Sequence, residues 1–410
     1  SRVNEACSKI LMAKFKLGLF ENRFVDIEKI AENIFTHEHK FTALETARKG
    51  IVLLKNSNLL PLNKVKKSKK ILVTGPNANN QSILGDWHAA QPDENVTTIF
   101  EGIKDLGESK GYDVSFFDSG DNIRKISNKN IQNTVAASKN ADYIIVVVGD
   151  NSMRYKWKDK TAGENMARAE LNLAGKQLEL VRSLKEINDN VIVVYVNGKP
   201  ISEPWIQNNI SSIIEAWEPG NLGGRAVAEI IFGDINPSGK LPLTVPRSVG
   251  QLQMIYNHKP SQYFHKYAFE KNKPLYEFGY GLSYTKFKYS KPKLLNTSFD
   301  DDSIIKVEVA VTNIGEMDGD EIVQLYIRDN VSSATRPVKE LKGYKRINLK
   351  VDETKNVVFE ITPESLAFYD IDMNYVVEPG TFKIMTGSSS HFKSLKTVEL
   401  NILNKIEFNN

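Results

Sequence analysis

The sequence predicts an α/β protein in which a mostly parallel sheet, covered by helices on both faces, is followed by a second, all-β domain. Two observations lead to this prediction. Apolar strands alternate with helical patterns between Phe41 and Pro246, and short strands of alternating polarity replace them after Ser290. A chain of 410 residues, 41% of them hydrophobic, is long enough for two or three domains with separate cores.

Residues 1–40 are predicted to form an amphipathic helix followed by a turn-rich tail that ends at Lys40. The apolar residues recur near helical spacing, at Val3, Cys7, Ile10, Leu11, Phe15 and Leu17. Such a stripe needs a partner surface, because otherwise it exposes apolar area to water.

Residues 41–250 are predicted to form the α/β sandwich domain. Its strands are rich in β-branched residues and show no polar alternation, which is typical of strands that are covered on both faces. The strands are predicted at 71–75, 141–150, 191–196 and 212–217, and the helices that separate the later ones at 178–184 and 226–232. This order is that of right-handed βαβ crossovers.

A crossing segment, residues 251–295, is predicted to lead into an all-β domain at 296–410. The segment is rich in Tyr, Pro, Lys and Gly, and its His258 is expected to attach it to the sandwich domain. Strands of alternating polarity are predicted at 305–311, 322–327, 357–361 and 381–385. Their length and spacing are typical of an immunoglobulin-like sandwich.

Composition excludes several classes of protein. The formal net charge of +4 comes from 54 basic and 50 acidic residues that are interleaved, and no cluster of basic and aromatic residues indicates a nucleic-acid partner. The dense basic run Lys64–Lys70 is predicted to be a solvated loop. Cys7 is the one cysteine, so no internal disulfide is expected. No apolar run is long enough to predict a membrane span, and the first residues lack the layout of a signal peptide.

The stretch Thr161–Arg168 contains Gly163 and a lone acidic residue, Glu164, just beyond the predicted strand 141–150. Loops that follow strands in α/β proteins are where reactive groups are found. Taken by itself, however, a loop carboxylate is more often only solvated.

No metal and no cofactor are expected. His37 and His39 flank Glu38, but no further clustered ligand accompanies them. The glycine-rich segment Gly220–Gly224 reproduces neither the dinucleotide fingerprint nor the P-loop, so tight turns explain it better.

An ordered set of motifs along nearly the whole chain resembles glycoside hydrolase family 3. Those similar to the family's sandwich domain are Gly50-Ile51-Val52-Leu53-Leu54-Lys55-Asn56, Leu60-Pro61-Leu62, Gly75-Pro76-Asn77-Ala78, Glu218-Pro219-Gly220 with Gly223-Gly224, and Asn236-Pro237-Ser238-Gly239-Lys240-Leu241-Pro242. Phe278-Gly279-Tyr280-Gly281-Leu282-Ser283-Tyr284 resembles the signature that leads into the family's fibronectin type III-like domain. That domain is resembled by Thr312-Asn313, Gly319-Asp320-Glu321, Arg336–Gly343 and Glu378-Pro379-Gly380.

The resemblance implies exo-acting hydrolysis that releases terminal β-linked glucose from oligo- or polysaccharides with retention of configuration. Retention requires two carboxyl groups about 5 Å apart. In the family a preceding barrel domain carries the nucleophilic Asp and the sandwich domain lends the acid/base Glu, whose place Glu164 matches. Residues 14–20 resemble the end of that barrel, so the barrel is expected to lie outside this chain. Gly85-Asp86-Trp87 looks locally like the nucleophile motif, yet the place of Asp86 matches a sandwich-domain loop.

Four neighbours of Glu164 are the predicted substrate-binding residues. Arg154, Tyr155 and Trp157 lie in the same loop and could hydrogen-bond to or stack on a sugar ring, since flat aromatic rings cover the apolar face of a pyranose. They could equally pack the loop against its own domain. Arg168 could contact Glu164 or a substrate hydroxyl, with a structural ion pair as the alternative.

Two other functions stay open. The first is a β-xylosidase of the same family, because sugar identity is set mainly by barrel loops. The second is a non-catalytic carbohydrate-binding or assembly module, if no barrel accompanies the chain. The expected partners are a β-linked glycoside and the barrel domain, with a homodimer left open, and the resemblance favours a periplasmic or secreted protein.

Overall fold

The computed structural model describes residues 1–62, 69–252, 254–260, 266–296 and 304–408. Within the basic run Lys64–Lys70, residues 64–68 lie outside the described residues. The chain forms two compact units, Ser1–Ala43 and Leu44–Asn410. No helix among the described residues is long and apolar enough to cross a membrane.

The first unit is helical. Helix α1 (Arg2–Lys16) begins at Ser1, whose hydroxyl accepts the Asn4 N–H, and none of its residues is buried. A 3-10 turn at Ile27–Lys29 and helix α2 (Ile30–Asn33) follow. The predicted turn-rich tail to Lys40 is wrong at its end, because helix α3 (His37–Gly50) begins there. The Thr36 hydroxyl accepts the His39 N–H, so a polar stretch that reads as a connection starts a capped helix.

The second unit opens with a six-stranded sheet. Its strands are β1 (Val52–Asn56), β2 (Lys70–Thr74), β3 (Asp113–Phe117), β4 (Tyr143–Gly149), β5 (Val191–Val196) and β6 (Ser212–Glu215), in the order β1-β6-β5-β4-β2-β3. Strand β1 is antiparallel to β6, and all other pairs are parallel. The helices are α4 (Ile99–Ser109), α5 (Asn128–Ser138), α6 (Gln177–Ile187), α7 (Pro204–Asn209) and α8 (Gly223–Ile231). The predicted α/β class is confirmed.

Both faces of this sheet are covered, which explains why β4 shows no polar alternation. Ile145 and Val147 belong to the core that includes α4 and α8. Ile144, Val146 and Val148 belong to the core on the opposite face, formed with α5, α6 and α7. Successive side chains of one strand therefore enter different cores, so every position is apolar.

The carboxyl ends of the central strands approach one another closely, and glycine makes this possible. A Cβ atom on Gly149 would lie 1.9 Å from the carbonyl oxygen of Val196, and one on Gly75 would lie 2.1 Å from that of Val147. Both residues have positive φ angles, 153° and 108°. The loops that leave β2, β4 and β5 therefore emerge side by side at one edge of the sheet.

The all-β domain is antiparallel. Its strands are β7 (Phe287–Tyr289), β8 (Lys293–Leu294), β9 (Ile305–Asn313), β10 (Gly319–Asp329), β11 (Glu340–Leu349), β12 (Thr354–Ile361), β13 (Phe368–Tyr369), β14 (Tyr375–Val377), β15 (Gly380–Gly387), β16 (Leu395–Ile402) and β17 (Ile406–Glu407), with a short helix α9 (Pro363–Leu366). Sheets β11-β10-β15-β16 and β12-β9-β7 share one apolar core, and β13-β14-β17 form a small third sheet. The predicted β-sandwich is confirmed.

Contacts of the crossing segment differ from the prediction for His258. The His258 carbonyl accepts the Val338 N–H at 2.9 Å, and the Tyr256 hydroxyl accepts the Leu341 N–H at 3.3 Å. The backbone of His258 thus bonds to the all-β domain, a contact that the sequence did not predict. One of these backbone donors, Val338, lies in the loop before β11 and the other, Leu341, lies within β11, and no local sequence pattern indicates either contact. The predicted domain boundaries themselves stay predictions.

Candidate active site

The loop after β4 is anchored at its base by Asp150. One carboxylate oxygen of Asp150 accepts from the Thr161 hydroxyl at 3.1 Å and from the Arg168 guanidinium at 3.0 Å, and the other lies 3.0 Å from the Lys199 ammonium. The Asp150 side chain is only 2% exposed. Three side chains from two loops therefore converge on one buried carboxylate, which anchors the loop after β4.

Glu164 lies within this loop, as predicted. Its backbone N–H donates to Asp86 Oδ2 at 2.5 Å, and its carbonyl accepts from Lys160 Nζ at 3.2 Å. Lys160 Nζ and Asp86 Oδ1 are 3.0 Å apart. The side chain of Lys160 is fully buried, whereas that of Glu164 is 40% exposed. An anchored backbone thus presents a solvent-accessible carboxylate.

Arg154 contacts this carboxylate directly. Its guanidinium donates to Glu164 Oε2, and its Nε lies 3.6 Å from Asp86 Oδ1. The guanidinium also lies over the indole of Trp87, 3.8 Å from the ring centre. Trp87 is 76% exposed. Arg154 therefore joins the candidate acid to an accessible aromatic surface.

Tyr155 and Trp157 lie on the 3-10 segment Arg154–Asp159. The Tyr155 ring meets His88 edge to face at 5.5 Å, and a cavity of about 350 Å³ is bordered by these two residues with Trp87, Ala89 and Arg154. Trp157 faces Lys160, whose ammonium lies 4.7 Å from the ring centre. Both aromatic residues are partly exposed, so they can pack the loop and still meet a ligand.

Arg168 is directed elsewhere. It donates to Asp150 and to the Asn172 carbonyl, 2.7 Å away, which is the structural ion pair that the sequence left as an alternative. Within the described part of the chain it has no contact with the Glu164 carboxylate. Its contribution to the site is to hold the loop base.

Two further carboxyl groups lie beneath the loop. Glu218 accepts from the Ser152 hydroxyl at 2.7 Å, and burial raises its pKa. Glu215, at the end of β6, accepts the Trp217 N–H at 3.0 Å, and its complete burial raises its pKa to about 8. In both groups burial shifts the pKa upward, whereas the pKa of Asp86 is lowered. Burial of Asp86 favours protonation, but the Glu164 N–H and Lys160 outweigh burial and lower its pKa.

The second carboxylate beside Glu164, that of Asp86, has little surface left for a substrate. Both oxygens of Asp86 are occupied by cations or N–H groups, and its side chain is only 10% exposed. A cavity of about 740 Å³ lies between the two domains, bordered by Asn56, Tyr284 and Lys396, away from Glu164. Among the described residues no group of three or more His, Cys, Asp or Glu could hold a metal ion.

The sequence did not predict Lys160 or Trp87 as part of the site, and it assigned Asp86 to a sandwich-domain loop. For Asp86 and Trp87 the sequence order contains an indication, because Gly85-Asp86-Trp87 follows β2, and β2 neighbours β4 in the sheet. Loops at the carboxyl ends of neighbouring parallel strands meet. Lys160 gives no such signal, since a lysine in a polar loop looks solvated until the structure buries it.

Two family models match the chain. The model described as the glycosyl hydrolase family 3 C-terminal domain matches residues 51–284, and the model of a fibronectin type III-like domain matches residues 321–390. The first match contains β1–β6 and the Glu164 loop, and the second contains most of the all-β sandwich.

Named relatives cover almost all of this chain. A β-xylosidase of Formosa agariphila is 42% identical over 98% of the chain, and a periplasmic β-glucosidase of Salmonella typhimurium is 34% identical over 95%. The matches take up 55% and 54% of those proteins, so the chain spans about half the length of the curated relatives it matches.

Solved structures agree with the fold. A β-glucosidase involved in saponin metabolism from intestinal bacteria superposes with a TM-score of 0.89 at 33% identity, over 98% of this chain and 59% of that one. A β-glucosidase from Listeria innocua in complex with gluconolactone gives a TM-score of 0.84 at 29% identity, over 95% of this chain and 53% of that one.

Proposed function

The chain belongs to glycoside hydrolase family 3, and from this premise we propose that it supplies the general acid/base of a retaining, exo-acting hydrolase, with Glu164 as that residue. The observation that carries the proposal is an exposed carboxylate on a loop whose backbone is otherwise anchored. A proton-transfer group must be both accessible to substrate and fixed in position.

The proposed reaction has two steps. In the first, protonated Glu164 gives its proton to the glycosidic oxygen while a carboxylate nucleophile bonds to the anomeric carbon, so the C–O bond breaks and an alcohol leaves. In the second, the Glu164 carboxylate takes a proton from water, whose oxygen bonds to the anomeric carbon as the nucleophile departs. The nucleophile comes from a barrel domain outside these 410 residues.

Arg154 and Trp87 are proposed to receive the substrate beside Glu164. The Arg154 guanidinium pairs with the Glu164 carboxylate, and this pair must open before Glu164 can hold a proton and turn it toward a leaving group. Trp87 is exposed and flanked by Tyr155 across the small cavity, which suits stacking on a pyranose ring.

We propose terminal β-linked glucosides as the substrate class. β-Xylosides are the second candidate, because a relative that is 42% identical is named a β-xylosidase. A periplasmic or secreted location is proposed from the periplasmic relative. A non-catalytic carbohydrate-binding role would not explain why the backbone that carries the exposed Glu164 carboxylate is anchored.

The test compares the complete enzyme, in which this chain is joined to its barrel, with a Glu164→Gln variant. Hydrolysis of 4-nitrophenyl β-glucoside and of the β-xyloside decides between the sugars. With a poor leaving group, loss of the acid is expected to lower kcat/KM by about 10²- to 10⁴-fold. A 2,4-dinitrophenyl glycoside needs less protonation and should lose less. Azide should restore turnover by forming the β-glycosyl azide, and unchanged hydrolysis of every substrate would remove Glu164 from the mechanism.

A further inference from the structure

One buried ion pair, Asp86–Lys160, holds the Glu164 backbone on both sides. The Asp86 carboxylate accepts the Glu164 N–H, while the Lys160 ammonium donates to the Glu164 carbonyl. The two charges are 3.0 Å apart. The backbone N–H and the backbone carbonyl of Glu164 are thus bonded by two oppositely charged side chains, which also form an ion pair with each other.

Gly163 leaves room for this arrangement. A Cβ atom at Gly163 would lie 2.6 Å from Asp86 Oδ2 and 3.2 Å from Lys160 Nζ, and the residue has a φ of 94°. A side chain at this position would therefore both strain the backbone and displace the pair. The loop is shaped around the two charges.

Burying Lys160 completely is costly, and a buried ion pair is weak evidence for a stabilising role. Its ammonium finds Asp86, the Glu164 carbonyl and the face of Trp157. Every one of these partners belongs to the Glu164 loop or contacts it. The position of the pair therefore matters more to the geometry of Glu164 than to the domain core.

We propose that Asp86 and Lys160 are positioning residues that fix the backbone of Glu164, so that only the side-chain torsions of Glu164 remain free for proton transfer. The proposal rests on the proposed acid/base role of Glu164. A displacement of about 1 Å at a reacting group can lower a rate by about 10²-fold. The pair would act through Glu164 without touching substrate.

Asp86→Asn is the informative substitution. In the carboxylate each oxygen accepts from one partner, Oδ1 from Lys160 and Oδ2 from the Glu164 N–H. The amide replaces one of these oxygens by an NH₂ group, which only donates, so the variant cannot keep both contacts in this geometry. Loss of a charge-assisted bond is expected to speed hydrogen exchange of the Glu164 amide by about 10- to 100-fold. Exchange in β4 should stay unchanged.

The kinetic readout is the dependence of kcat/KM on leaving-group pKa in the complete enzyme. A misplaced acid lowers kcat/KM more for substrates with poor leaving groups than for those with good ones. Asp86→Asn should therefore steepen this dependence in the same direction as Glu164→Gln. A variant that merely lowers the folded fraction reduces all rates equally. The matched control is Glu321→Gln, which breaks the buried Lys240–Glu321 pair, 3.4 Å apart, at the domain junction. It should leave the dependence unchanged.

The double variant Asp86→Asn/Lys160→Met separates position from stability. It leaves no uncompensated buried charge, so it should unfold at a higher denaturant concentration than Lys160→Met alone while keeping the steep leaving-group dependence. If Glu164→Gln steepens that dependence but Asp86→Asn does not, the positioning role is overturned. If Glu164→Gln has no effect, the proposed acid/base is wrong, and unchanged amide exchange in Asp86→Asn would separately refute the backbone contact.

Discussion

The buried carboxyl of Glu215 predicts a pH dependence of folding that one substitution should remove. Glu215 is 3% exposed, and complete burial raises its pKa from 4.5 to about 8, against the opposing effects of the Trp217 N–H, Asn197 and Lys199. A pKa that is raised on folding means that the native state holds a proton that the unfolded state has released. Its contribution to stability is therefore fully present below about pH 4.5 and lost as pH rises through 8.

The magnitude follows from the two values. Between pH 4.5 and about pH 8, the pKa values of Glu215 in the unfolded and the native state, the free energy of unfolding should fall by about 1.4 kcal/mol per pH unit from this group alone. Between pH 5 and 8 this amounts to roughly 3 to 4 kcal/mol. In Glu215→Gln the side chain stays neutral at all pH values, so this part of the slope should vanish. Burial also raises the pKa of Glu203 and Glu218, so a smaller slope of the same sign should remain.

Tryptophan fluorescence during urea unfolding measures the relevant domain by itself. All four tryptophans, Trp87, Trp157, Trp205 and Trp217, lie in the α/β domain. The control is Glu270→Gln, because the Lys271 N–H and Arg247 lower the pKa of Glu270 and its titration falls below this range. Equal slopes between pH 5 and 8 for wild type and Glu215→Gln would refute the argument.

Two further substitutions test the loop and the aromatic surface. Gly163→Ala should destabilise the α/β domain more than Gly111→Ala. Both glycines have positive φ angles, 94° and 86°, but only at Gly163 would a Cβ atom meet Asp86. The free energies of unfolding measured in urea are expected to differ by about 1 to 3 kcal/mol, and equal losses would contradict the steric argument. Trp87→Ala should raise KM for an oligosaccharide by about 3- to 10-fold with little change in kcat. The control Tyr344→Ala removes an exposed ring from the all-β domain and should leave KM unchanged. Equal KM values for the two variants would exclude Trp87 from substrate binding.

The fold could be predicted from the sequence because its signals are local. The apolar run that includes Ile144 and Val148 is long enough to exclude a half-exposed strand, and the structure places its residues in two cores. The antiparallel partner of β6 is β1, which precedes it by more than 150 residues. Strand β1 is short and flanked by turns, so no local sequence pattern predicts that pairing. The start of α3 was missed because a hydroxyl cap at Thr36 looks like any polar turn residue.

The site was predictable only in part. Glu164 and Arg154 lie ten residues apart in one loop, and the structure brings them into contact. Asp86 comes from another loop, so its contact with Glu164 depends on the strand order, with β2 next to β4. Lys160 could not have been found from sequence, because its burial depends on Asp86 being opposite.

The charges around Glu164 bear on why the proposed mechanism assigns the proton to Glu164 rather than to Asp86. Arg154 and Lys160 balance Asp86 and Glu164. A nucleophilic carboxylate supplied by the proposed barrel adds one negative charge, and neighbouring carboxylates relieve such repulsion when one of them takes up a proton. Asp86 resists protonation because the Glu164 N–H and Lys160 lower its pKa. Within the described residues the Glu164 carboxylate contacts only Arg154, so the proposed mechanism requires the release of that one contact before Glu164 can meet the leaving group.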